Sequence, residues 1–249
     1  NYPTGTDNVA LGNTALDSVE AGGTNNVAIG DNAGTAITTG DNNTAVGKDA
    51  LTATTTSANN TAIGSCALDA NTTGSSNTAV GRNSLGSNTD ATFNTAVGHN
   101  SLATNSTGDN NTGIGYNALV SNTTASSNTA VGYQSLCANT TGSNNTAIGI
   151  TSLICNTTGA DNVAVGRCAL YCNTTASGNT AVGGTSMIVN TTGCQNTAVG
   201  QQSLKNNTTG DNNTALGFYA LCTNSTADNN TAVGFCSLRC NSTGANNTA

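Results

Sequence analysis

The chain has 249 residues, of which only 7% are charged and 3% aromatic, with no Trp, one Pro and a formal net charge of −7. Five Lys and Arg in total cannot build the basic stripe that neutralises phosphates, which excludes nucleic acid as a partner, and no run of about 18 apolar residues occurs to insert into a membrane. Disorder ordinarily combines high charge with few aliphatics, whereas here charge is low and Val, Leu and Ile return at fixed intervals, so a tandem repeat is predicted.

The repeated word is N-[TV]-A-[VIL]-G. Its glycine falls at Gly12, Gly30, Gly47, Gly64, Gly81, Gly98, Gly115, Gly132, Gly149, Gly166, Gly183, Gly200, Gly217 and Gly234. The first interval is 18 residues and every later one is 17. Unbroken self-similarity of this length is the signature of a solenoid. The residue before the glycine is always Val, Ile or Leu, and a Leu follows four residues after it in most copies, with Met187 and Gly34 as exceptions. Three before the glycine stands Thr, exchanged for Val at Val9, Val27 and Val163, and two before it stands Ala, except at Gly113.

A Thr that exchanges with Val, two places from an always-aliphatic residue, predicts a short strand with both side chains inward and the Ala between them outward. Helix is the competing reading, but the rest of each unit is rich in Asn, Thr and Gly, which are poor helix formers. The predicted fold is therefore all-β: a parallel β-solenoid of about fourteen 17-residue coils. Three short strands with tight corners suit one such coil. The whole chain, residues 1–249, reads as one continuous solenoid, about 70 Å long at about 4.8 Å per coil. Each coil buries few aliphatics, so stability would come from stacking on its neighbours.

Two kinds of asparagine emerge from the columns. Four before the glycine every copy has Asn, including Asn43, Asn60, Asn77, Asn94, Asn111, Asn128, Asn145, Asn162, Asn179, Asn196, Asn213 and Asn230. These are predicted to form a structural ladder, since Asn tolerates tight turns and stacked amides bond to one another. The N-glycosylation pattern Asn-x-Ser/Thr falls elsewhere. One set is Asn71, Asn105, Asn122, Asn139, Asn156, Asn173, Asn190, Asn207, Asn224 and Asn241; the other is Asn42, Asn59, Asn110, Asn144, Asn212, Asn229 and Asn246. Both sets are candidate sugar acceptors, with a solvated or structural Asn column as the alternative, because sugars about 4.8 Å apart on one column would crowd one another.

The nine cysteines suggest disulfide staples or buried thiols. Cys168 and Cys172 occupy the same two columns of one unit as Cys236 and Cys240 do in another. Cys137 with Cys155, and Cys222 with Cys240, sit at near-equivalent places on successive coils, so the pairing stays open. No CxxC pair occurs and His99 is the single histidine, which argues against zinc. Asp41, Asp109 and Asp211 read as solvated turn residues, too few per coil for Ca²⁺. One histidine and scattered acids assemble no acid–base pair or nucleophilic triad, so neither enzymatic activity nor a cofactor is expected.

The words NTAVGYQSL at Asn128–Leu136 and NTAVGRNSL at Asn77–Leu85, with their NTTG linkers, resemble the head repeats of trimeric autotransporter adhesins of the YadA type. They are also similar to repeats of phage tail-fibre and secreted surface-fibre proteins. The resemblance spans nearly the whole chain and implies a left-handed rather than right-handed parallel β-roll, located outside the cell or on its surface. It also implies contact with matrix, host surfaces, glycans or copies of itself. The 17-residue period and the abundance of Cys depart from the adhesin heads. The chain opens at NYPTGTDN and closes at GANNTA, both in mid-unit, which reads as a segment of a longer array or as coils stacking copy on copy. The expected function is a structural fibre or filament subunit, with an adhesin head or ice-binding module as the alternative.

Overall fold

The computed structural model describes residues 5–249. The opening NYPT, read above as part of an interrupted unit, lies outside them. The chain divides into two compact units, Asn1–Ser127 and Asn128–Ala249, built alike. The first carries strands β1 (Val9–Leu11), β2 (Val27–Ile29), β3 (Thr44–Val46), β4 (Thr61–Ile63), β5 (Thr78–Val80), β6 (Thr95–Val97) and β7 (Thr112–Ile114). The second carries β8 (Thr129–Val131), β9 (Thr146–Ile148), β10 (Val163–Val165), β11 (Thr180–Val182), β12 (Thr197–Val199), β13 (Thr214–Leu216) and β14 (Thr231–Val233).

Within each unit, consecutive strands pair in parallel with equivalent residues opposite. Thr44, Ala45 and Val46 face Thr61, Ala62 and Ile63 in the first unit. Val163, Ala164 and Val165 face Thr180, Ala181 and Val182 in the second. The fold is thus the all-β parallel solenoid that the 17-residue period predicted, and no helix occurs among the described residues. A stack of seven strands rises about 29 Å at about 4.8 Å per step.

Each coil holds one three-residue strand rather than three strands. The other segments are turns whose N–H groups still bond one coil onward: Leu51 to Ala67 O at 3.0 Å, Ala53 to Asp69 O at 3.1 Å and Thr55 to Thr72 O at 3.4 Å. They are not strand because their backbone alternates in hand. Asp49 and Leu51 have φ of 58° and 52°, and their equivalents Asn83 and Leu85 have 55° and 50°. A left-handed Leu is unfavourable on its own. It is held because the bend turns the side chain into the coil, where Leu51, Leu85, Leu136 and Met187 are fully buried.

The facing of the strands is the reverse of the sequence-based expectation. Ala45, Ala62, Ala130 and Ala198 are buried, whereas Ile63, Ile148 and Leu216 are exposed and the strand Thr residues half-exposed. The reason is space. The strand's middle position looks across the coil at the buried Leu column and at the small residue preceding it, so only a methyl group fits. A Cβ built on Gly113 already meets Ser101 Oγ at 2.6 Å. The Thr/Val exchange reflects an outward sheet surface, where β-branched neighbours on adjacent strands pack along each column.

The invariant glycine closes the strand corner. Gly149 has φ of +130°, and a Cβ there would lie 2.7 Å from Gly166 O and 2.8 Å from Gly166 C, the backbone of the next coil. Coils approach so closely at this corner that no side chain can be accommodated.

Candidate functional site: paired asparagine ladders and outward columns

The interior of each coil is half apolar and half amide. From Asn26 onward the Asn that precedes each strand is buried, and its Oδ1 accepts the backbone N–H of the equivalent Asn one coil on. The bond runs from Asn60 N to Asn43 Oδ1 at 3.0 Å, and from Asn94 N to Asn77 Oδ1 at 2.9 Å. In the second unit it runs from Asn145 N to Asn128 Oδ1 at 2.9 Å and from Asn230 N to Asn213 Oδ1 at 3.0 Å. The predicted ladder therefore exists, with a backbone donor on each rung rather than amide to amide alone.

A second ladder is formed by the NTTG asparagines. Here the bond is side chain to side chain: Asn88 Nδ2 to Asn71 Oδ1 at 2.8 Å, Asn156 Nδ2 to Asn139 Oδ1 at 2.9 Å, Asn207 Nδ2 to Asn190 Oδ1 at 2.8 Å. The two ladders meet on one carbonyl per coil. Gly159 O accepts Asn145 Nδ2 at 2.8 Å and Asn156 Nδ2 at 2.9 Å, and Gly210 O accepts Asn196 Nδ2 at 2.8 Å and Asn207 Nδ2 at 2.9 Å. This arrangement satisfies buried amides that would otherwise be costly. Sequence reasoning missed Asn88 as a rung, because NTD does not match the acceptor pattern. It also missed Thr54, whose Oγ1 accepts Asn71 Nδ2 at 3.1 Å and ends the ladder. Ile37 and Val19 continue the column as apolar residues. The 17-residue spacing alone would have identified Asn88, Thr54 and Ile37, and the 18-residue first interval Val19.

These contacts separate the sugar-acceptor candidates. Asn71, Asn105, Asn122, Asn139, Asn156, Asn173, Asn190, Asn207 and Asn224 are 0% exposed, and Asn241 is half-buried with its Nδ2 bonded to Gly244 O. An amide nitrogen committed inside the coil cannot carry a glycan, so the acceptor reading is corrected for this set. Asn42, Asn59, Asn110, Asn144, Asn212, Asn229 and Asn246 are exposed, with φ between 56° and 62°. Asn suits this left-handed corner, which explains the column without a sugar, and the amides are open to one.

The outer surface is built of regular columns. The strands present Thr beside Val or Ile, as at Thr95 and Val97 or Thr146 and Ile148, on a face without charge. After the corner glycine lies a variable column that stacks upon itself. His99 and Tyr116 are parallel with ring centroids 5.5 Å apart, and Arg82 Nη1 lies 3.2 Å from His99 Nε2. In the second unit Phe218 and Phe235 stack at 5.8 Å, with Tyr219 at the edge of Phe218 and Arg239 over Tyr219.

The acids belong to the corners. Asp41 Oδ1 accepts the Thr24 N–H and hydroxyl, both at 2.8 Å, Asp109 accepts the Thr92 N–H at 2.6 Å, and Asp211 the Cys194 N–H at 2.7 Å. Ser75 and Ser177 do the same for Ala58 and Ala160. They are caps for the preceding coil rather than solvated bystanders. The exposed Lys48–Asp49 pair at 2.9 Å contributes little. All nine cysteines are free thiols, Cys168 Sγ lies 3.2 Å from Thr151 Oγ1, and Cys222 is buried. Among the described residues no group of three or more His, Cys, Asp or Glu is placed to hold a metal ion. No family model matches the chain, and no characterised protein matches it.

Proposed function

We propose that the chain is a non-enzymatic structural repeat protein, a segment of an extracellular or cell-surface fibre whose coils stack on copies of themselves. The observation that carries this reading is that each coil is completed by an identical coil. Backbone N–H groups, ladder asparagines and the corner glycine all find their partners one coil away, as in Asn213 N to Asn196 Oδ1. A surface that complements its own repeat recruits another copy by the same bonds. The likeness of the NTAVG and NTTG words to surface-fibre repeats supports the extracellular setting, and exposed Asn212 and its equivalents supply sites for sugars there. Electron microscopy and sedimentation over a range of concentrations test the reading. Rods that lengthen in steps of one subunit support it; particles that stay single at every concentration refute it.

A second reading rests on the uncharged Thr/Val face. Regular hydroxyl and methyl columns form a flat surface able to bind a host or matrix ligand, or ice, with Val and Ile in the place first given to Ala. Thermal hysteresis in dilute solution tests ice binding, and saturable binding to immobilised glycan or matrix tests adhesion.

A further inference from the structure

Among nine cysteines, Cys155 and Cys172 are the one pair separated by a single 17-residue interval. The structure places them in register on adjacent coils of the second unit. Cys155 N–H bonds to Tyr171 O at 3.2 Å, and Cys172 N–H to Ile188 O at 3.0 Å, so both occupy the same outward column. Ala138 precedes them in that column, with its N–H on Ile154 O at 3.0 Å, and Val189 follows. Both thiols are partly exposed. In-register neighbours on stacked coils lie about 4.8 Å apart, inside the roughly 4.4–6.8 Å Cα window of a disulfide.

We propose that Cys155 and Cys172 form a reversible inter-coil disulfide by exchange with a small-molecule disulfide of the glutathione type. One thiolate attacks the external disulfide, whose S–S bond breaks as a mixed disulfide forms and the first small thiol leaves with the proton. The second thiolate then attacks the protein-bound sulfur and releases the second small thiol. Two protein thiols are oxidised and one external disulfide is reduced. Partial burial, then the neighbouring Cys172 and Cys137 sulfurs, hold the Cys155 thiol above its ordinary pKa, in keeping with a sulfur that lies beside them. The bond ties two coils that are otherwise joined only by hydrogen bonds and packing, and its partial exposure leaves it open to reduction.

Cys137 and Cys168 are the competitors. Cys137 sits one column away from Cys155, and Cys168 lies on another corner against Thr151. Arg167 allows the pairings to be told apart, because trypsin separates residues 83–167, holding Cys137 and Cys155, from residues 168–205, holding Cys168, Cys172 and Cys194. The intact folded chain is treated with oxidised glutathione, free thiols are alkylated, and the chain is denatured and digested without reduction. The expected result is loss of two of the nine titratable thiols and a linked 83–167/168–205 species that dithiothreitol dissolves. The link should persist in Cys137→Ser and Cys168→Ser and vanish in Cys155→Ser and Cys172→Ser, all four with the circular dichroism of the parent. Nine thiols still titrating, a link that survives Cys155→Ser, or one that vanishes in Cys137→Ser or Cys168→Ser overturns the proposal.

Discussion

Asn60 and Asn71 donate to a single oxygen: both Nδ2 atoms lie 2.9 Å from the carbonyl of Gly74. A carbonyl has two lone pairs, and here both are used by side chains buried in the same coil. The interior therefore has a polar seam beside the Leu column, and the seam is continuous only while each coil carries both asparagines.

Removing one rung breaks bonds on both sides. Asn156 donates to Asn139 Oδ1 and accepts from Asn173 Nδ2, each at 2.9 Å. Asn156→Ala removes both bonds inside the coil, leaving Asn173 Nδ2 with Ala176 O alone, and is expected to cost about 2–6 kcal/mol at about 1–3 for each bond lost. The urea midpoint of the variant measures it. Asn144→Ala on the exposed corner is expected to cost only about 1–2 kcal/mol, because it removes a surface amide and places Ala at a left-handed φ of 61°.

The corner glycines are expected to be the least replaceable residues. Gly149→Ala places a methyl group against the Gly166 backbone at a φ of +130°, and is expected to cost at least about 3 kcal/mol. At Gly184, where nothing lies within 4 Å, Ala is expected to stay within about 0.5 kcal/mol of the parent. Paired thermal melts of the two variants check this contrast.

Asp69 sets a pH dependence. Partial burial raises its carboxyl above the ordinary Asp value, with the Asp49 charge adding to the rise, while the N–H groups of Ala70 and Asp69 act against it. A raised folded-state pKa favours the protonated form, so this stabilisation is present below the unfolded pKa and lost as pH rises through the folded one. Asp69→Asn is expected to melt higher than the parent at neutral pH, with the gap closing as the pH falls below the carboxylate range. Melting curves from pH 3 to 7 check the sign.

Sugars, if the chain is made in a glycosylating cell, are expected on Asn212 and its exposed equivalents and not on Asn207. Both match the acceptor pattern, but Asn207 Nδ2 is held by Asn190 Oδ1 and Gly210 O inside the coil. Peptide mass mapping of the secreted protein distinguishes the two positions.

Much of this was legible in the sequence, because a 17-residue interval reports register directly. The parallel stacking, the recurrence of the Leu column and the Asn preceding each strand followed from comparing columns. Facing did not, because a Thr that exchanges with Val describes an outward sheet column as well as an inward one. The small size of Ala45 and Gly113 was the better signal, since a residue that must be small is one with a neighbour in front of it. Asn207 was left between a sugar acceptor and a structural column because its triplet matches a surface motif, while its fixed spacing from Gly210 was the mark of a buried rung. Left-handed Leu residues such as Leu153, with φ of 53°, left no trace in composition, because burial, not intrinsic preference, places them there.

Because each coil is completed by an equivalent coil, stacking between molecules is proposed to extend stacking within one. X-ray fibre diffraction from oriented, concentrated protein tests it most directly. An axial reflection at about 4.8 Å that sharpens as filaments lengthen is expected, since coils that stack across subunit junctions would keep the spacing found inside each subunit. Diffraction with no axial order, from protein that remains as separate particles, would contradict it.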